Sequence, residues 1–261
     1  MDGFWRASAF LTRLPARAQA FQGGPHPLGA DAAAFPLVGV AVALPSAVLL
    51  VLLGAAGLQP VTASLIALLL LVALTGALHE DGLADTADGL FGHTSAERAL
   101  EIMKDSRIGT YGALALIGSV LLRVALLTEL AARSPALAAL ALIAAAGASR
   151  GAMAWLWSRL PSARRDGLAG RMEAPSRETG RKAAGLALAL LVVAGALTGA
   201  LAKDGGTGLA AFVLPALLGA AGLDAFRRFL LRRLGGTTGD TLGAAQQIVD
   251  IALLLGFALA L

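Results

Sequence analysis

Residues 79–92 read His-Glu-Asp-Gly-Leu-Ala-Asp-Thr-Ala-Asp-Gly-Leu-Phe-Gly, and Asp81, Asp85 and Asp88 stand at i, i+4 and i+7. On a helix that spacing puts three carboxylates on one face. Like charges so arranged repel, whereas a solvated helix face ordinarily mixes signs. No Lys or Arg between Arg17 and Arg98 compensates locally. A divalent cation removes the conflict, and all-oxygen donors suit Mg²⁺, Mn²⁺ or Ca²⁺ rather than softer metals. Mg²⁺ in particular binds through one or two carboxylates plus substrate phosphates. The plain alternative is a solvated acidic loop just past an apolar run.

Residues 97–112 follow, Glu-Arg-Ala-Leu-Glu-Ile-Met-Lys-Asp-Ser-Arg-Ile-Gly-Thr-Tyr-Gly. Arg98, Glu101 and Asp105 can share a helix face, with Ile102 and Met103 toward a core. Lys104, Asp105 and Arg107 crowd the end of the segment. Cations beside carboxylates suit a metal-complexed phosphate, although basic residues also anchor helices at a membrane face. Residues 235–244, Gly-Gly-Thr-Thr-Gly-Asp-Thr-Leu-Gly-Ala, form a Gly- and Thr-rich turn that can offer backbone N–H groups to an anion. The turn lacks the lysine of a P-loop, and a helix start capped by Asp240 or Thr241 is an equally good reading. Arg123, Arg150 and Asp250 lie within apolar runs, where charges are expensive and often functional. Arg150 is about two turns from the end of its run and can line a site. Arg123 can pair with Glu129 or with another helix. Phe10–Pro15 reads as a short interfacial helix stopped by proline, with Phe4 and Trp5 at the headgroups and Arg13 within reach of a phosphate.

These groups must be held by elements that face lipid. The chain has 261 residues, of which 57% are hydrophobic and 15% charged. Soluble domains are about 45–50% apolar and about 25% charged. Apolar runs predict an all-α, polytopic transmembrane bundle in a single domain spanning 1–261, with spans near 32–57, 60–78, 110–132, 136–157, 183–202, 207–224 and 244–261. Pro36 and Pro45 predict a kink in the first span, and the last looks short. The first 20 residues lack the basic-then-apolar order of a cleavable signal. The absence of cysteine excludes a disulfide framework, a thiolate zinc site and a Cys nucleophile. With seven spans and the N-terminus inside, segments 1–31, 79–109, 158–182 and 225–243 hold 17 of the 21 Lys and Arg residues. That bias predicts a cytoplasmic N-terminus and a cytoplasmic site built from 79–112 and 235–244. It also accounts for the net charge of +4 without nucleic acid.

The chain resembles the cobalamin synthase (adenosylcobinamide-GDP ribazoletransferase) family. The resemblance is carried by Phe10–Pro15 (FLTRLP), His79–Gly89 (HEDGLADTADG), Ile102–Gly112 (IMKDSRIGTYG), Ser149–Arg150 and Gly235–Ala244 (GGTTGDTLGA), in family order over nearly the whole chain. It implies the last step of cobalamin assembly in the bacterial inner membrane. In that step adenosylcobinamide-GDP is joined to α-ribazole or its 5′-phosphate, GMP is released, and Mg²⁺ is used. On that footing Asp81, Asp85 and Asp88 are expected to hold Mg²⁺. Asp81, Asp85, Asp105 and Lys104 are expected at the chemistry, with Asp105 a ligand or a base. Arg13, Arg107, Thr110, Arg150, Thr238 and Asp240 are expected to contact substrate. Two departures from the family pattern stand out. Glu80 replaces a commonly apolar residue and is either an extra metal ligand or a surface charge. The last span carries Gln247 and Asp250 where Glu is frequent.

Two other classes compete. A cation transporter would explain intramembrane carboxylates, but the acidic residues gather at one face and no second copy of the 79–112 pattern is present, whereas transporters are often internally repeated. A scaffold for other pathway enzymes would leave the clustered Asp residues without a role. Homo-oligomerisation, or association with those enzymes, stays open at this level.

Overall fold

The computed structural model describes residues 1–24, 26–92, 95–163, 173–203 and 205–261. The helices are α1 (Asp2–Leu11), α2 (Leu28–Asp31), α3 (Phe35–Ala55), α4 (Pro60–Thr75), α5 (Leu78–Phe91), α6 (Ala96–Ile102), α7 (Thr110–Arg133), α8 (Pro135–Trp157), α9 (Arg177–Ala202), α10 (Gly205–Arg233) and α11 (Gly239–Ala260). Among the described residues there is no strand, only an isolated bridge between Ser162 and Thr237. The predicted basic positions Arg164, Arg165 and Arg171 lie outside the described residues.

Among the described residues six helices are long and apolar enough to cross a membrane, or seven if the bent pair α4–α5 counts as one span. Two of them form the centre. In their most apolar stretches α8 and α11 are 72% buried, against 28–39% for the other long helices. Helices α3, α9 and α7 pack around α8, and α10, α5 and α7 around α11. Leucines and valines such as Leu44, Leu52, Leu69, Leu121 and Val193 point outward, as a lipid-facing surface requires.

Several boundaries differ from the sequence expectation. Pro36 falls in the first turn of α3, where proline costs no hydrogen bond, so only Pro45 lies inside that helix. The sixth span runs on to Arg233 and the last begins at Gly239, a full 22 residues. Helix α1 ends at Leu11, four residues ahead of the expected proline stop. The Thr12 hydroxyl donates to the Ser8 carbonyl and accepts from the Leu14 N–H, so the chain is turned before Pro15 is reached. A bidentate Arg6–Asp31 pair clamps α1 to the segment leading into α3.

The bend that presents the acidic segment follows from two residues. Gly76 (φ +63°) and Ala77 (φ +57°) are both left-handed. The Gly76 N–H donates to the Ala73 carbonyl and the Ala77 N–H to the Val72 carbonyl, which closes the end of α4. The axis turns by 87°. A Cβ at Gly76 would also collide with the Arg13 side chain, and the backbone N–H of Arg13 donates to the Leu74 carbonyl at 2.7 Å. The second apolar run therefore stops at Thr75, and 78–91 leaves the span direction.

Candidate active site

On α5 the three aspartates share the accessible face. Asp81 is exposed and Asp85 and Asp88 are half-buried, while Gly82, Ala84, Thr86 and Ala87 turn inward. The two other motif segments meet this helix at opposite ends.

At the C-terminal end, Asp88 accepts the Gly109 N–H at 2.7 Å and the Gly112 N–H at 2.8 Å. It thus caps the start of α7 from another helix, satisfying two of the donors a helix N-terminus leaves open. Only glycine permits this. A Cβ at Gly112 would lie 2.2 Å from the Asp88 carboxylate, and one at Gly109 would lie 2.5 Å from it. The glycines of the GTYG segment are thereby explained by an aspartate 21 and 24 residues earlier. Asp88 has a structural partner on each oxygen.

At the N-terminal end, Gly82 lies against Asp240, where a Cβ would come within 2.7 Å of the Asp240 carbonyl oxygen. Helix α11 opens with a capping box: the Thr238 side chain accepts the Thr241 N–H, and the Thr241 hydroxyl accepts the Thr238 N–H. Thr238, rather than Asp240 or Thr241, is the N-cap, and it is 3% exposed. Its hydroxyl also donates to the Asp240 carboxylate at 3.3 Å. Asp81 and Asp240 line one cavity, together with Phe10, Leu11, Phe35, His79, Met153 and Trp157.

Segment 103–109 is less helical than expected. Helix α6 stops at Ile102, so Asp105 is not on the Arg98–Glu101 face. Arg98 pairs with Glu101, and Met103 is buried as expected. Asp105 instead receives the Arg107 guanidinium, Nε donating at 3.0 and 3.1 Å to the two carboxylate oxygens, and the Arg107 N–H at 3.1 Å. Those side-chain bonds, then the backbone one, hold the Asp105 carboxyl down at about 2, and the side-chain bonds with the Asp105 charge raise the Arg107 guanidinium. Lys104 and Thr110 are exposed, and so is Arg13, over the Gly76 turn.

Two expected site residues go elsewhere. Glu80 is 6% exposed, and its Oε1 accepts from Arg123 Nη1 at 2.9 Å and from Gln247 Nε2 at 3.0 Å. Its carboxylate is committed to the bundle interior, so the metal-ligand expectation does not fit its position. Arg150 is 2% exposed, donates to the Ala146 carbonyl at 2.8 Å and is electrostatically coupled to Asp250 and Glu80. It is enclosed between helices rather than presented beside Asp81. Arg123 ion-pairs with Asp250 at 3.1 Å as well as with Glu80, not with the exposed Glu129. Ser119, Ser149, Gln246 and Gln247 extend the array by hydrogen bonds. Two arginines and two carboxylates balance, the condition for keeping such charges in an apolar interior. The sequence marked Arg123, Arg150 and Asp250 as intramembrane charges, but nothing in the spacing linked them to Glu80.

Among the described residues no three His, Cys, Asp or Glu side chains converge as a ready metal cluster. With both Asp88 oxygens taken up by the start of α7, the other two carboxylates of that face are Asp81 and Asp85, one helical turn apart.

The sequence model of the family described as cobalamin-5-phosphate synthase matches residues 3–258. A protein of Sinorhizobium medicae named adenosylcobinamide-GDP ribazoletransferase is 47% identical, covering 99% of this chain and 98% of its own length. Proteins of the same name from Rhizobium johnstonii and Brucella ovis are 47% and 44% identical, each covering 98% of this chain and 96% of its own length. No solved structure matches the chain.

Proposed function

The chain belongs to the cobalamin-5-phosphate synthase family, a transferase family of cobalamin synthesis, and from that membership we propose that it joins adenosylcobinamide-GDP to α-ribazole or α-ribazole 5′-phosphate with release of GMP. The observation that carries the site assignment is the accessible acidic face of α5, held between the starts of α7 and α11. Both helix starts bring positive dipole ends to a face that must handle a pyrophosphate.

The reaction is a displacement at phosphorus. The ribose hydroxyl oxygen of α-ribazole bonds to the cobinamide-side phosphorus, the P–O bond to the GMP phosphate breaks, and the hydroxyl proton is lost. Asp81 and Asp85 are the residues that would hold Mg²⁺; two carboxylates plus substrate phosphates are its usual complement, so a three-carboxylate cluster is not required. A bound Mg²⁺ would supply charge neutralisation of the pyrophosphate. Lys104 and the exposed Arg107 guanidinium are the cations that would add positive charge for the pyrophosphate, and Arg13, over the α4–α5 bend, would do the same. Asp105, held at about 2 by Arg107, is too weak a base for efficient proton removal near neutrality. It orients Arg107 instead. Asp240, which lines the same cavity as Asp81, is placed to meet the nucleoside hydroxyls.

Sequence segments 1–31, 79–109, 158–182 and 225–243, which alternate with the apolar runs, hold 17 of the 21 Lys and Arg residues. This supports a multi-pass protein of the bacterial inner membrane with its site facing the cytoplasm.

The test is GMP release by protein in lipid or detergent supplied with adenosylcobinamide-GDP, α-ribazole and Mg²⁺. Release with formation of the joined corrinoid, abolished by EDTA and by Asp85→Asn, is expected. No release from folded protein under several divalent cations would overturn the assignment and return attention to an ion path.

A further inference from the structure

Phosphate chemistry does not account for the cavity that Asp81 and Asp240 overlook. Its inner wall is apolar and aromatic: Leu11, Phe35, Met153 and Trp157 are each at most 4% exposed, and Phe10 completes it. The Phe35 and Trp157 rings stack at 6.5 Å with 22° between their planes. One polar side chain interrupts this wall. His79 is 2% exposed, lines the cavity, and its Nε2 is buried with no hydrogen-bond partner. The carboxylates stand differently, Asp81 exposed and Asp240 half-buried.

We propose that this cavity is the subsite for the methylated benzimidazole base of α-ribazole, with His79 Nε2 facing the unsubstituted ring nitrogen of that base. The inference deepens the proposed function and rests on it. Among the groups the two substrates carry, phosphates, riboses, guanine and the corrin amides all need several polar partners. Burying them against Phe35, Met153 and Trp157 would strand donors and acceptors at a cost of about 1–3 kcal/mol each. A methylated aryl ring presents flat apolar surface and a single acceptor nitrogen, which matches an aromatic slot with a single imidazole. The cavity is about 90 Å³, well below the ~300–1,000 Å³ of pockets that enclose a whole drug-sized ligand, so it excludes a macrocycle and admits a flat ring edge-first, with the rest of the ring in the mouth. With the base inside, the attached ribose emerges where Asp81 and Asp240 stand, which brings its hydroxyl to the acidic face. His79 is then a positioning residue.

The experiment uses the full-length protein in lipid and free 5,6-dimethylbenzimidazole as the probe. Calorimetry should detect binding of the base without any other substrate, and GMP should not displace it. In turnover the base should compete with α-ribazole and not with adenosylcobinamide-GDP. Phe10→Ala and Met153→Ala should each raise KM for α-ribazole about tenfold, the usual loss for apolar contact in a pocket, and leave KM for adenosylcobinamide-GDP unchanged. His79→Leu should raise the same KM, with partial recovery in His79→Gln. GMP release with no binding of the base, displacement of the base by GMP, or an unmoved KM for α-ribazole in both cavity variants would overturn the subsite while leaving the transferase intact. Binding of the base with no GMP release under any condition would instead overturn the transferase reading. The wild-type measurements need no variant to fold.

Discussion

Replacing Glu80 by Leu tests the buried charge array most directly. Glu80 supplies one of the two carboxylates that face Arg123, and its Oε1 takes hydrogen bonds from Arg123 and Gln247. Removing it leaves Arg123 and Arg150 against Asp250 alone. Breaking one side of a buried ion pair typically costs about 3–5 kcal/mol. Asp250 still stands 3.1 Å from Arg123, so the low end, about 3 kcal/mol, is expected. At about 2–4 °C per kcal/mol for a chain of this size, the melting temperature in detergent should fall by about 6–12 °C. Adding Gln247→Glu should recover more than half of the loss. Gln247 Oε1 already accepts from Arg123 Nη1 at 3.1 Å, so a carboxylate there faces the same cation. Recovery should stay incomplete, because Gln246 Oε1 loses the donor that Gln247 Nε2 now provides. A Glu80→Leu protein as stable as the parent, or a double variant no better than the single one, would refute the charge-balance argument.

Other outcomes follow from the same geometry. Asp88→Asn turns an amide donor toward the N–H groups of Gly109 or Gly112 and should cost about 1 kcal/mol of stability, the usual worth of a cap. That loss should appear equally with Mg²⁺ and with EDTA in thermal unfolding, whereas a loss seen only with Mg²⁺ would make Asp88 a ligand. Gly112→Ala should displace the Asp88 carboxylate and lower both stability and turnover, measured by melting and by GMP release; parent-like behaviour would contradict the cap. Asp105 is held at about 2 by Arg107. A depressed carboxyl keeps its pair throughout the range above the free carboxylate value and loses it only as pH falls through about 2. The acid limb of the pH–rate profile should therefore be the same in Asp105→Asn as in the parent, and a shifted limb would restore Asp105 as a base.

The gap between periodicity and contact shows best at particular residues. The i, i+4, i+7 spacing of Asp81, Asp85 and Asp88 was enough to place them on one face, because a helix imposes that geometry locally. It could not distinguish Asp88, whose role is set by Gly109 and Gly112 across a loop. Glu80 is one residue from Asp81 in sequence, yet a 100° turn of the helix carries it from the accessible face into the bundle. Arg150 was read at the correct depth in its span, but whether an intramembrane cation faces a site or a counter-ion depends on which helix packs beside it.

Fold class and membrane character need only composition and apolar run length, because lipid leaves a chain few ways to satisfy its backbone. Family follows from motifs that survive as short contiguous strings. The aromatic cavity draws on residues 10, 35, 79, 153, 157 and 240, which no periodicity connects. The charge array draws on α5, α7, α8 and α11 in the same way. Both exist only once the helices have packed, since a side chain's partner across an interface is set by the crossing of two elements and not by the local rise of either.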